Sequence, residues 1–201
     1  YNYVNYLFSG LEFDKTIEQS GEIAAGFEKY GAKLGKDYRL TTGFMVAFAF
    51  FANERYEEAL DWLVEIVETK KRFKTEVVCM AKILEILCHY ELGNEDYLPY
   101  LLRSTYRYLK KLPSPLKTEK TIIDFIRRLP QNVSKKDLQL AFEKMKTEME
   151  GFKTDPYEKT LLETLRITDW LESKLTGRKF SECLQGSLGS VSYTHLRAHE
   201  T

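Results

Sequence analysis

The stretch AFAFFANERYEEALDWL at Ala47–Leu63 predicts a helical hairpin, because apolar residues recur every three or four positions on both sides of a short turn. The turn, Ala52–Tyr56, consists of a small residue, a turn residue, two mostly polar residues and an aromatic. The same pattern occurs at Ser9–Phe13 and Gly93–Tyr97. The copies lie about 40 residues apart, and repeats of that length with two helices each are typical of a solenoid of helical hairpins.

The same helical periodicity extends along almost the whole chain, and no convincing alternation of the strand type interrupts it. We therefore predict an all-α protein. The predicted helices cover residues 1–9, 12–30, 38–52, 54–70, 75–92, 95–111, 118–129, 134–151 and 156–176, with a short helix near Phe180. Asn53, Asn94, Ser134 and Asp155 stand where a polar side chain can cap the helix that follows.

Composition places the chain among ordinary globular proteins. Hydrophobic residues make up 43% of its 201 residues, and the formal net charge is +0. A balanced charge provides no general attraction to nucleic acid or to an anionic membrane, and the most apolar stretch, Gly43–Ala52, is too short to cross a bilayer. We interpret Cys79, Cys88 and Cys183 as buried thiols in a reducing compartment, and so predict a cytoplasmic protein that does not contact a membrane.

Both ends of the chain indicate a fragment. The chain begins at Tyr1 within an apolar helical pattern, so we expect a longer protein upstream. Residues 191–201 read VSYTHLRAHET, which matches an in-frame translation of a transposase-type sequencing-library adapter. We interpret this tail as not native, which leaves His89 as the only native histidine. Metal sites built on several histidines are then excluded from the fragment.

The stretch around the central turn resembles the tetratricopeptide repeat (TPR). The second half of that repeat carries an aromatic, an alanine three residues later and a large apolar residue four further on, here Tyr56, Ala59 and Leu63. Its first half carries a small residue and an aromatic, here Ala47 and Phe50. Small residues at these positions let the two helices of a hairpin approach closely. The resemblance implies an α-solenoid of TPR-like hairpins.

The other two copies depart from the TPR pattern. Thr16 and Tyr100 stand where Ala59 stands, and the spacing exceeds the roughly 34 residues usual in that family. The stretches at 89–94, 101–109, 155–159 and 169–174 resemble the C-terminal part of long bacterial repeat proteins of unassigned function. This resemblance implies helical hairpins over residues 1–112, capping helices over 113–190, and a non-catalytic scaffold that binds a protein or peptide through its concave face.

The resemblance also implies where a peptide would bind. First helices of each hairpin would line the concave face, and their outward side chains form an aromatic stripe beside a polar one. An amphipathic segment could lie along such a groove. The alternative is that the phenylalanines are core, because helix 38–52 is apolar on every side. The candidate peptide-binding residues are Thr41, Phe44, Phe48, Phe51, Lys82, Glu85 and His89.

A basic segment supports a second hypothesis, contact with nucleic acid. Residues 97–136 contain ten lysines or arginines against two acidic residues, with tyrosines interleaved. Basic side chains contact phosphates, and aromatic rings stack on bases. The alternatives are a solvated face or a surface that meets an acidic neighbouring repeat, since residues 54–68 are strongly acidic. The candidate residues are Arg103, Arg107, Lys110, Lys111, Arg127 and Arg128.

No catalytic constellation stands out. His89 and Glu91 are two positions apart and do not share a helix face, and no glycine-rich phosphate loop follows a strand. We interpret Glu163, Asp169 and Glu172 as exposed helix carboxylates. The sequence therefore predicts a protein that is not an enzyme and that needs no cofactor or metal.

Overall fold

The computed structural model describes residues 12–31, 33–69, 75–113, 116–129 and 134–187. These residues form helices joined by turns, and they contain no strand, which confirms the all-α prediction. In chain order the helices are α1 Phe13–Glu18, α2 Ser20–Tyr30, α3 Lys36–Ala52, α4 Tyr56–Val67, α5 Thr75–Glu91, α6 Leu98–Leu109, α7 Lys117–Arg128, α8 Lys135–Phe152, α9 Pro156–Leu165, α10 Ile167–Thr176 and α11, residues 180–187.

The chain divides into two compact units, Tyr1–Arg127 and Arg128–Thr201. The predicted boundary between hairpins and capping helices lies after residue 112, and α7 lies almost entirely in the first unit. Two of the predicted helices are each interrupted, at Gln19 and at Arg166. The predicted helix 1–9 and the tail 191–201 lie outside the described residues.

Within the first unit, neighbouring helices pack in the order in which they follow along the chain. Helix α3 packs most extensively on α4, α4 on α5, and α5 on α6. Helix α3 also contacts α5, so the first helices of two successive hairpins touch, and α1 packs on α3. Ala47 and Ala59 are completely buried, as expected of small residues where two helices approach closely. At Gly43 a β-carbon would lie 3.7 Å from Ile66 Cδ1, in ordinary contact with α4.

The repeated turns begin helices as predicted, but the two asparagines do not cap them. Helix α4 begins at Tyr56, and Tyr97 directly precedes α6. The Asn53 side chain instead donates to the carbonyl of Ala49, 3.1 Å away, in the helix that ends there. Asn94 Nδ2 lies 2.9 Å from His89 Nδ1. Each asparagine therefore stabilises the end of the preceding helix, because the turn places it nearer to that helix.

Helix α7 is held in the first unit by a buried carboxylate. Glu119 is 3% exposed and accepts a hydrogen bond from the backbone N–H of Leu116 at 3.2 Å. It also bonds to the thiol of Cys79, which lies on α5. Ile122 and Ile126 are buried beside it. An acidic side chain in this position needs such partners, because a buried carboxylate without them is costly.

The second unit is built on α8 and α10, which pack closely against each other. Trp170 is 2% exposed and meets the ring of Phe142 edge-on at 5.8 Å. Phe180 of α11 is also buried. The two predicted caps are confirmed here: Ser134 Oγ accepts from the Asp137 N–H at 3.1 Å, and an Asp155 oxygen accepts from the Tyr157 N–H at 2.9 Å.

Candidate functional site

The predicted aromatic stripe of α3 does not lie on a surface. Phe44, Phe48 and Phe51 are 2%, 0% and 1% exposed. Their rings lie in sequence along the helix, tilted to one another, at centroid distances of 6.4 and 6.3 Å, and Phe48 also meets Phe13 at 5.7 Å. Their assignment to a peptide-binding groove is therefore wrong, because α1, α4 and α5 cover α3. Thr41 is half-buried and donates to the carbonyl of Asp37 in its own helix, 2.8 Å away.

The predicted polar stripe of α5 is half-buried and lies beside α6. Lys82, Glu85 and His89 are each partly exposed. Lys82 Nζ donates to the carbonyl of Val67 at 3.1 Å and lies 5.3 Å from the ring centre of Tyr108. Burial raises the pKa of the Glu85 carboxyl, and the nearby Lys82 ammonium lowers it in part. The three side chains thus share one face, but their neighbours on that face belong to α4 and α6.

His89 forms the end of this stripe. Its ring lies 4.7 Å from the ring of Tyr97, and Tyr97 in turn lies 5.9 Å from Tyr100. Burial lowers the pKa of His89, which favours the neutral imidazole. A neutral ring can accept a hydrogen bond at Nδ1 from the amide of Asn94, at 2.9 Å. Neither of these contacts involves a carboxylate, and both position His89 at the turn between α5 and α6.

An open groove between α2, α3 and α4 was not predicted from the sequence. It has a volume of about 320 Å³, and most of its lining is apolar. The rings of Phe27 and Trp62 meet edge-on at 6.1 Å along it. Both side chains are only partly buried, and α2 contributes no fully buried residue. The lining residues are Ala24, Phe27, Arg39, Leu40, Gly43, Asp61, Trp62, Glu65 and Ile66.

One cation lies across the apolar wall of this groove. The guanidinium of Arg39 is 5.4 Å from the ring centre of Phe27, and its Nη2 lies 2.7 Å from Glu65 Oε2. A guanidinium over an aromatic face is attracted by the electrons of the ring. Asp61 lies on the same side as Glu65. The groove therefore combines two aromatic rings, an oriented arginine and an acidic rim.

The predicted basic patch is exposed in the first unit. Arg103, Arg107, Lys110, Lys111 and Arg127 are all exposed to solvent. Arg128, which was predicted with them, begins the second unit.

Aromatic rings accompany this basic surface. Tyr106 is approached by two cations, with Lys110 Nζ 4.9 Å and Arg127 Cζ 5.3 Å from its ring centre. Arg127 also pairs with Asp124 at 3.0 Å. Tyr100, at 60% exposure, stands on the outer face of α6. The surface is thus positively charged and carries an exposed ring.

The second unit contains a separate polar cleft of about 540 Å³. Four basic and four acidic side chains line it, together with the buried Cys183. Most of these charges pair with one another: Lys146 and Arg178 with Glu172, Lys153 with Glu150, and Arg166 with Asp169. The ion pairs of this cleft link side chains of α8 and α10 and of the turns beside them. Because its charges are largely paired, the cleft has little free charge with which to bind an ion.

Asp169 is not the exposed carboxylate that the sequence predicted. We expected an exposed side chain, but only 13% of it is exposed. Its oxygen lies 2.7 Å from Arg166 Nε, and it also bonds to the Ser187 hydroxyl. Burial raises the pKa of Asp169 in spite of these partners. The helix break at Arg166, a non-glycine residue with φ of 51°, aims the guanidinium into the cleft and was not signalled by a glycine or proline.

The three cysteines are free and buried, as expected of thiols that pack as small apolar groups. Burial raises the pKa of each thiol, so none of them is activated as a thiolate nucleophile. Within the described ranges, no cluster of three or more histidine, cysteine or acidic side chains could hold a metal ion. In that same part of the chain, none of the helices has both the length and the apolar character needed to cross a bilayer.

The groove of α2–α4 escaped prediction because the residues that build it come from three helices. Trp62 at a half-exposed helix position and Arg39 with Phe27 were visible signals, but their convergence depends on tertiary packing. The chain matches no protein-family model, no curated protein and no solved structure.

Proposed function

We propose that the first unit is a non-catalytic helical-repeat scaffold that binds a protein segment. The packing of α3 on α4, α4 on α5 and α3 on α5 supports this proposal, because successive hairpins of a TPR-like solenoid make contacts of that kind. A solenoid of hairpins presents extended surfaces to its partners. Three free thiols favour a reducing compartment such as the cytoplasm for this scaffold.

The groove of α2–α4 is the observation that carries the proposal. Tryptophan, tyrosine and arginine dominate the binding energy of protein interfaces. Trp62 and Arg39 lie in one open groove together with Phe27, and all three remain partly exposed. An apolar side chain from a partner would complete the packing of Phe27 and Trp62. The rim carboxylates would select for basic residues that flank this apolar anchor.

A selection experiment tests this proposal. A displayed library of amphipathic helical peptides is selected on the full chain and then tested against Trp62→Ala and Arg39→Ala. We expect the enriched peptides to lose roughly tenfold to a hundredfold in affinity with Trp62→Ala, because an interface anchor contributes about 2 kcal/mol or more. Val64→Ala is the matched control, since Val64 is 51% exposed on α4 but does not line the groove.

Two results would reject the groove as the binding site. One is a library from which no peptide is enriched on the wild-type chain. The other is a set of peptides that bind Trp62→Ala and the wild type equally well. Circular dichroism of each variant shows whether the helical fold is retained, and a groove peptide must distinguish Trp62→Ala from Val64→Ala.

A second candidate function is contact with nucleic acid through the exposed basic surface of α6 and α7. The observation that favours it is Tyr100, exposed beside Arg103 and Arg107 on one helix face. Binding of a labelled single-stranded oligonucleotide would then fall steeply as salt is raised, because phosphate contacts release counterions. Arg103→Glu with Arg107→Glu would remove it. A weak interaction that does not depend on these two arginines would reject this candidate.

A further inference from the structure

Two outer helix faces of the first unit carry opposite charge. On α4, four exposed carboxylates surround the exposed side chain of Val64: Glu57, Asp61, Glu65 and Glu68. On α6 and the turn after it, four exposed cations accompany the exposed ring of Tyr100: Arg103, Arg107, Lys110 and Lys111. We call these the acidic face and the basic face. Each has an exposed apolar residue among its charges, 51% exposed for Val64 and 60% for Tyr100.

The two faces come close to each other at their C-terminal ends. Lys82 of α5 shows this, because its ammonium reaches both flanking helices. Lys82 Nζ donates to the carbonyl of Val67 at the end of α4 and lies 5.3 Å from the ring centre of Tyr108 near the end of α6. The C-terminal ends of α4 and α6 therefore lie close to one side chain. Glu68 directly follows Val67 and Lys110 directly follows Leu109, so the acidic and basic faces adjoin at these ends.

Among the residues that the structure describes, most of these charges have no opposite charge beside them. Glu65 pairs with Arg39 at 2.7 Å. For Glu57, Asp61 and Glu68, and for the cations of the basic face, the described residues supply no ion pair within 4 Å. Two adjacent patches of unpaired and opposite charge are what a self-complementary surface requires. A single patch of one sign would repel its own copy.

We propose that two copies of the chain associate through this surface about a two-fold axis. The acidic face of one copy meets the basic face of its partner, and the symmetry makes the reciprocal contact at once, so the assembly closes as a dimer. Val64 and Tyr100 supply apolar contact between the charged rows. The charges set the register and the rate of association, and they make the dimer sensitive to salt.

Asp61 and Glu65 belong both to the acidic face and to the lining of the groove proposed above as the peptide site, yet the dimer can be tested separately. Glu57 and Glu68 belong to the acidic face but do not line the groove. Substitutions at these two positions therefore test the dimer and leave the walls of the groove unchanged. A nucleic acid, by contrast, would be attracted by the basic face and repelled by the acidic face beside it.

The test is the mass of the full chain in solution, measured by sedimentation velocity. We expect a dimer at low salt and a monomer in about 1 M salt, where the Debye length falls to about 3 Å. Glu57→Lys with Glu68→Lys places two lysines beside Asp61 and Glu65 and so removes the net charge of the acidic face, and Arg103→Glu with Arg107→Glu removes the net charge of the basic face in the same way. Each pair of substitutions alone should weaken dimerisation by roughly a hundredfold, because two attractive contacts in each half of the interface then become repulsive.

Mixing the two charge-reversed proteins provides the decisive measurement. An equimolar mixture should form dimers at low salt, because the introduced lysines of one protein meet the introduced glutamates of the other, and the unchanged acidic and basic faces meet as before. A single chain that carries all four substitutions should also dimerise with itself. A wild-type chain that stays monomeric at low salt would overturn the proposal. So would a dimer that survives either reversal, or a mixture that fails to associate while both proteins keep their helical circular dichroism.

Discussion

Helices α3 and α5 are the first helices of two successive hairpins and have the same length of 17 residues, yet they bury their side chains differently. The predicted contact residues of α3, among them Phe48, are core. Those of α5, among them His89, stay partly exposed. A helix that is apolar on every side becomes core, whereas a polar stripe at intervals of three and four leaves one face for solvent or a neighbour.

The turns that end these two helices differ as well. Each turn contains one residue in the left-handed conformation. After α3 this residue is Glu54, with φ of 60°, and after α5 it is Gly93, with φ of 67°. Glycine adopts this conformation without strain, and a residue with a β-carbon does so at a cost of roughly 1–2 kcal/mol. The same sequence pattern thus produces one relaxed turn and one strained turn.

The largest expected effect on stability is that of shortening a buried side chain in α3. Phe48→Ala removes a completely buried ring that contacts Phe13, Phe44 and Phe51. We expect the free energy of unfolding to fall by about 3–5 kcal/mol, as measured by urea denaturation. His89→Ala, at the end of the α5 stripe, should cost less than Phe48→Ala by at least about 2 kcal/mol. Equal losses would show that α3 and α5 are packed alike.

A smaller loss is expected at the turn after α5. Gly93→Ala forces a β-carbon into the left-handed region, while the space around that carbon is open. The cost is therefore one of backbone strain alone, about 1 kcal/mol in the free energy of unfolding. Gly151→Ala is the control, because Gly151 lies inside α8, where alanine is the better helix former. A Gly93→Ala chain as stable as the wild type would contradict the left-handed conformation of Gly93.

The turn after α3 should respond in the opposite direction. Glu54→Gly relieves the strain of the left-handed conformation but adds freedom to the unfolded chain, so we expect a net gain of about 0.5–1 kcal/mol. Glu57→Gly is the matched control, since it places glycine in the first turn of α4 and should destabilise. A loss of stability with Glu54→Gly would mean that the glutamate side chain stabilises this turn by a contact.

The smallest effect concerns pH. Because burial lowers the pKa of His89, the unfolded chain binds a proton more readily than the folded chain. Stability contributed by the neutral ring is present above the unfolded pKa, near 6.5, and is lost as pH falls below it. His89→Gln should flatten the decline in the free energy of unfolding just below that pH. If the slope of the unfolding free energy against pH is unchanged in His89→Gln, other titratable groups cause the decline.

Features that depend on residues close together in the sequence were predictable, whereas features built by residues from several helices were not. The caps at Ser134 and Asp155 follow from residues a few positions apart, and so do the aromatic residues at the start of α4 and α6. The direction in which Phe48 points depends on which helices cover α3. The groove joins Phe27, Arg39 and Trp62 from three helices, and the break at Arg166 carries no glycine or proline to mark it.

The fluorescence of Trp62 is the most direct test of peptide binding in the groove of α2–α4. In a Trp170→Phe background Trp62 is the sole tryptophan, and its emission reports the polarity of the groove. A peptide selected on the wild-type chain is titrated into this protein. If the groove of α2–α4 is the binding site, the emission of Trp62 shifts to shorter wavelength and saturates with the binding curve. Saturable binding with no change in Trp62 emission would show that the peptide binds elsewhere and not in this groove.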